Sequence, residues 1–176
     1  MSDRTGITVG FSTTNKLMSR FIRWITQGKV SHAWIAYDDA TLGMRMVMQA
    51  EAWGFEVRPW KKWLTQNKWV AEYTLVCPVV VLTKSLKKLA ELLGTHYDYK
   101  SAALVGIINW FKRLSKSKFK QSPKKLMCAE AVVRFLQWSN FSSTINLNPE
   151  ITSPAELFGV IGTDINNFIS LSTPIE

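Results

Sequence analysis

His32, His96, Cys77 and Cys128 are the only imidazoles and thiols in this 176-residue chain. Cys128 opens the pattern LMCAEAVVRFLQW, where Ala129, Val132, Val133 and Leu136 recur at helical spacing, so its thiol falls in a first helical turn. There the positive end of the backbone dipole and the unpaired amide hydrogens favour thiolate over thiol. Taken alone, a cysteine on a helix is more often a small buried hydrophobe than a nucleophile. His32 changes that weighting. It begins the strand pattern SHAWIAYDD, and an imidazole at a strand start with a thiol at a helix start are the two parts of a thiolate–imidazolium pair.

Such a pair needs a third group to orient the ring. Gln49 and Glu51 share one face of the next strand pattern and are cross-strand neighbours of His32. Glu51 is the preferred partner, since a carboxylate supports an imidazolium, and Gln49 is held in reserve. Cys77 follows an apolar strand and precedes Pro78, which reads as a buried, inert thiol. His96 has no partner by sequence.

The elements that must position these groups follow from periodicity and turn signals. Ile7 to Phe11 reads as a strand, followed by a helix capped by Asn15 and ending near Gln27, with Leu17, Phe21, Trp24 and Ile25 at helical spacing. In SHAWIAYDD, His32, Trp34 and Ala36 fall on one face, with Ala33, Ile35 and Tyr37 on the other. Strands over Met44 to Trp53 and Phe55 to Arg58 complete an antiparallel meander. A short helix or turn at WKKWL comes next, then a strand from Val70 to Val76 and a helix from Lys84 to Leu93, stopped by Gly94. A further helix is predicted from Lys100 to about Leu114, with Asp98 as its cap. Near the end, Ser153 caps a helix begun by Pro154, with Glu156 three residues after the cap.

Several of these segments, in order, resemble one group of enzymes, the circularly permuted NlpC-type papain-like hydrolases. The likeness is to the YiiX-like branch, with lecithin retinol acyltransferase a more distant relative. TQGKVSHAWIAYDD resembles the family's histidine motif and MQAEAWGFEV its acidic-residue motif. HYDYKSA is similar to its tyrosine motif, LMCAEAVVRFL to its cysteine helix and ITSPAELF to its closing segment. The resemblance spans nearly the whole chain and implies one α+β, papain-like domain over residues 1–176. That fold has a central antiparallel sheet or half-barrel, the nucleophile-bearing helix packed against it, and the permuted order His, acid, Cys.

By that resemblance Cys128 is the nucleophile, His32 the base and Glu51 the orienting group, with the Cys128 amide contributing to an oxyanion hole. Tyr97 falls where the family often has a cleft tyrosine, and with Gln49 is a candidate to meet substrate. Glu130 matches the pattern but points away from the thiol on a helix, which makes it structural. The family suggests a peptide, isopeptide or lipid-ester substrate. The segment CAE, where the group more often has serine, leaves the substrate open.

Composition bounds the rest. With 47% apolar residues and eight Trp the chain can build one core. No apolar run is long enough to span a bilayer, and the start lacks a secretory pattern, so the expected place is the cytoplasm unless another route exports the protein. No phosphate-cradling glycine loop, paired-histidine metal motif or dinucleotide fingerprint occurs, and no cofactor is expected. The formal charge is +9, and half of the residues from 112 to 125 are basic: Lys112, Arg113, Lys116, Lys118, Lys120, Lys124 and Lys125. That stretch is either a solvated loop or a contact for an anionic surface. Three functions follow: thiol hydrolysis, acyl transfer by the same residues, or a non-catalytic basic module binding nucleic acid or an anionic surface. Trp60, Trp63 and Trp69 among Lys61, Lys62 and Lys68 lend support to the last, unless those rings pack on the sheet.

Overall fold

The computed structural model describes residues 6–51, 54–97, 125–126 and 128–172. Strand β1 (Ile7–Thr13) leads into helix α1 (Leu17–Thr26), then β2 (His32–Asp39), β3 (Met44–Glu51) and β4 (Gly54–Pro59). Helix α2 (Trp60–Leu64), β5 (Lys68–Leu75) and α3 (Val79–Ala90) follow. After these come the short strands β6 (His96–Tyr97) and β7 (Lys125–Leu126), helix α4 (Cys128–Trp138), helix α5 (Pro154–Thr163) and β8 (Phe168–Leu171). Six strands form one antiparallel sheet in the order β4-β3-β2-β1-β5-β8, and β6 pairs with β7 in parallel. The α+β class and the opening meander therefore hold.

Alternation along the strands assigns each face its cover. Val9, Phe11, Ala33, Ile35, Met48, Ala50 and Leu75 point to one side, where they share a core with Leu82 and Leu89 of α3, Leu157 and Ile161 of α5, and most of α4. Helix α4 is buried far beyond a single stripe, from Cys128 through Val133 and again at Phe135 and Leu136, because it lies between the sheet and the other helices. Each large apolar side chain fully removed from water there contributes about 1.5–3 kcal/mol.

The opposite face carries Trp34, Ala36 and Val47, covered by Trp60 and Trp63 of α2. Trp60 and Trp63 stack with centroids 5.0 Å apart, and Trp34 meets Trp63 edge-on at 4.9 Å. The Trp34 ring crosses Gly10 so closely that a Cβ there would lie 2.1 Å from it. Trp60 and Trp63 are thus core residues and offer no stacking platform to nucleic acid. Trp69, half-buried, packs against the same cluster.

Other expectations are corrected locally. Asn15 does not cap α1; the cap position is Lys16, with no side-chain cap bond. Helix α3 starts at Val79, five residues before the expected Lys84, because the β-branched run Val79–Val81 looks like strand but follows Pro78, whose fixed φ suits a helix start. Strand β8 had no clear sequence pattern. The Ser153 cap is present, its Oγ accepting from the Glu156 amide at 3.1 Å. Glu130 pairs with Arg134 one turn on at 2.8 Å, a structural role. The helix expected from Lys100, its cap Asp98 and the basic residues Lys112, Arg113, Lys116, Lys118, Lys120 and Lys124 lie outside the described residues, as does the side chain of Lys125. No helix among the described residues is long and apolar enough to cross a membrane.

Candidate active site

His32 stands at the first position of β2, opposite Ser12 near the end of β1. Cys128 stands at the first position of α4, which packs on β2 and β3. An early strand and a late helix thereby bring imidazole and sulfur into hydrogen-bonding contact. The sulfur is buried, which pushes its thiol pKa up. That effect is overcome by the charge of His32, by the hydrogen bond from its ring, and by hydrogen bonds from the backbone amides of Ala33 and Ala129, so the thiol lies below its ordinary value. For His32 burial pulls the imidazolium down. The charge of Cys128, the bond to its sulfur, the charge of Glu51 and the bond to Gln49 together raise it to about 9.

Gln49, not Glu51, makes the hydrogen bond that orients the ring. Its Oε1 lies 2.9 Å from His32 Nε2. The donor and acceptor roles are fixed by the neighbours, because Glu56 can only accept and the Trp63 indole can only donate. Gln49 Nε2 donates to Glu56 Oε1 at 3.1 Å, and Trp63 Nε1 donates to Gln49 Oε1 at 2.7 Å. Gln49 Oε1 is therefore an acceptor towards both, and His32 Nε2 must carry a hydrogen. Nδ1 is left to face the sulfur. Behind this row Arg58 grips Glu56 with Nε at 2.5 Å and Nη2 at 3.2 Å, and reaches Gln66 at 3.0 Å.

Glu51 makes no hydrogen bond to His32, for a geometric reason. Extending the register Ile35↔Met48 by three residues sets His32 opposite Glu51, but β2 and β3 pair only between Ile35↔Met48 and Asp39↔Met44. Beyond that point the strands no longer pair, and the ring meets the diagonal neighbour. Glu51 acts on His32 through its charge alone. Gln49, also considered as a substrate contact, is 1% exposed, with its amide engaged by His32, Trp63 and Glu56. Tyr97 lies in β6, with its side chain outside the described residues.

Sequence reasoning missed Glu56, Trp63, Arg58 and the Ala33 amide. Glu56 sits directly opposite Gln49 in the β3/β4 register, so a correctly aligned hairpin would have found it. Cys77 is half-buried, with its thiol pushed up by burial and its sulfur 3.8 Å from the Ser139 carbonyl oxygen.

No family model and no curated protein matches the chain. Among solved structures it is similar to the crystal structure of the metalloprotein YiiX from Escherichia coli O157:H7, DUF1105, with a TM-score of 0.58 and 18% identity. The match covers 99% of this chain and 91% of that one. Among the described residues here, no group of three or more His, Cys, Asp and Glu side chains is placed to hold a metal ion. The likeness establishes architecture, and on that ground the chain has a YiiX-like α+β fold.

Proposed function

We propose that the protein is a thiol hydrolase of amide or ester bonds, with Cys128 as nucleophile and His32 as its acid and base. The observation that carries this is the meeting of the His32 ring and the Cys128 sulfur, which holds the thiol below its ordinary value and raises the imidazole to about 9. A lowered thiol beside a raised imidazole favours the pair as thiolate and imidazolium, the reactive form of a cysteine nucleophile. The order along the chain, His32 before the orienting residue and Cys128 last, agrees with a permuted papain-like site and with a distant likeness to lecithin retinol acyltransferase.

In this reading the thiolate attacks the carbonyl carbon and the carbonyl π electrons move to oxygen, near the amide at the start of α4. As the intermediate collapses, the bond to nitrogen or oxygen breaks and His32 gives its proton to the leaving group. The neutral imidazole then takes a proton from water, whose oxygen attacks the thioester, and expulsion of the thiolate restores the pair. Replacing that water by an alcohol or amine would make the same chemistry an acyl transfer. Gln49 is assigned to hold the ring, with Glu51 adding charge.

The test is labelling by a thiol-directed electrophile at neutral pH, mapped by mass spectrometry in wild type, Cys128→Ala, Cys77→Ala and His32→Ala. Label on Cys128 that slows by at least about tenfold in His32→Ala, with Cys77→Ala like wild type, is expected, since one pKa unit changes the thiolate fraction tenfold. Label on Cys77, or labelling of Cys128 that ignores His32, would overturn the reading.

A further inference from the structure

Among the described side chains of helix α1, Ser19 is buried and Ile22, Arg23 and Thr26 are half-buried. Ser19 is buried and bonds the Ser31 hydroxyl at 2.6 Å, Thr13 at 3.1 Å and the Thr14 amide at 3.0 Å. An outward stripe at helical spacing is apolar: Leu17 is 82% exposed, Phe21 41% and Trp24 73%. The Phe21 and Trp24 rings lie beside each other with centroids 6.3 Å apart. An ordinary surface helix keeps apolar side chains of this size against the core.

Charge along this segment of the chain has a single sign. From Thr13 to Val30 there are four basic residues, Lys16, Arg20, Arg23 and Lys29, and no acid. Lys16, Arg20 and Lys29 are exposed. Large apolar side chains pointing outward, a Trp among them, with basic residues alongside, match a helix that lies in the headgroup layer of an anionic bilayer. The Ser19–Ser31 bond ties the helix one residue from His32, at the same end of the sheet.

We propose that α1 is a docking element for an anionic membrane surface, inserting Leu17, Phe21 and Trp24 among the acyl chains while Lys16, Arg20 and Lys29 meet lipid phosphates. The proposal stands apart from the thiol chemistry, which it would deliver to carbonyl groups at a bilayer.

The experiment is co-sedimentation of the full chain with vesicles of phosphatidylglycerol and phosphatidylcholine in equal parts, beside vesicles of phosphatidylcholine alone. The variants are Leu17→Ser/Trp24→Ser and Lys16→Gln/Arg20→Gln. Binding to the anionic vesicles, weak binding to the neutral ones, and at least about tenfold weaker binding in the apolar double variant are expected. The charge variant should bind more weakly and with less salt dependence. No binding to anionic vesicles, or equal binding of both double variants and wild type, overturns the proposal. A lowered thermal midpoint in Leu17→Ser/Trp24→Ser overturns it by showing the stripe packed within the chain, and a changed oligomeric state does so by showing a second copy as occupant. Labelling of Cys128, followed in the same variants, should stay at the wild-type rate, so failure of membrane binding and failure of the thiol reading are read separately.

Discussion

The amide of Gln49 holds His32 by Nε2 at 2.9 Å and is itself locked between the Trp63 indole and the Glu56 carboxylate. A ring fixed through one nitrogen can turn only about that bond, which keeps its other nitrogen aimed at the sulfur. Gln49→Ala should therefore lose labelling at Cys128 even though it removes no charge. It should also lose about 1–3 kcal/mol of stability, because the Trp63 and His32 hydrogens are left without an acceptor. Labelling rate and urea unfolding, measured on one preparation, check both. Full labelling in a folded Gln49→Ala protein would remove Gln49 from the positioning role.

The pH profile follows from the signs of the two displacements. Cys128 ionises below the ordinary thiol value, so labelling should already be fast near neutral pH and should not wait for pH 9. Hydrolysis needs the His32 proton for the leaving group, and His32 holds that proton up to about 9, so turnover should fall as pH rises through that value. Glu51→Gln removes one of the charges that raise His32, and the alkaline fall should move to lower pH while the neutral-pH labelling rate changes little. Glu51 as the hydrogen-bonding partner predicts the opposite, a collapse of labelling.

Trp63→Phe separates packing from hydrogen bonding. Phenylalanine keeps an aromatic ring against Trp60 and Trp34 but offers no N–H to Gln49. Loss of that bond costs about 0.5–1.5 kcal/mol, with a further loss for the smaller ring. With one donor gone Gln49 still accepts from His32, so labelling should fall less than in Gln49→Ala. Equal loss in the two variants would mean that Trp63 acts through the packing of the whole cluster.

Strand faces and helix spacing placed most of the architecture in the sequence. The alternation in SHAWIAYDD, the stripe of α4 and the Ser153 cap depend on local pattern, and each is found in place. The His32–Gln49 bond depends on where β2 and β3 stop pairing, a property of the sheet that neither strand carries alone. For α1 the spacing of Leu17, Phe21 and Trp24 revealed a helix, yet periodicity cannot tell an apolar stripe facing the core from one facing outward. The hydroxyl cluster of Thr13, Ser19 and Ser31 decides that orientation, and it joins residues up to eighteen apart.

The covered face of the sheet also contains a buried ion pair whose removal has a predictable sign. Arg45 and Glu72, 7% and 0% exposed, pair directly, and the Thr8 hydroxyl donates to the same Glu72 oxygen at 2.5 Å while Arg45 Nη2 donates to Thr8 at 2.7 Å. Arg45 also reaches the exposed Asp38 at 3.3 Å and lies over the Trp60 ring at 5.4 Å. Arg45→Met leaves the Glu72 charge with a single hydroxyl in an enclosed site and should lose about 3–5 kcal/mol. Glu72→Leu in addition removes the stranded charge, and the double variant Arg45→Met/Glu72→Leu should recover most of that loss, since paired buried ions gain little over apolar side chains of similar volume. Urea midpoints of the wild type, the single and the double variant decide it. A double variant as unstable as Arg45→Met would show that the pair fixes the β1, β3 and β5 arrangement and does more than neutralise itself.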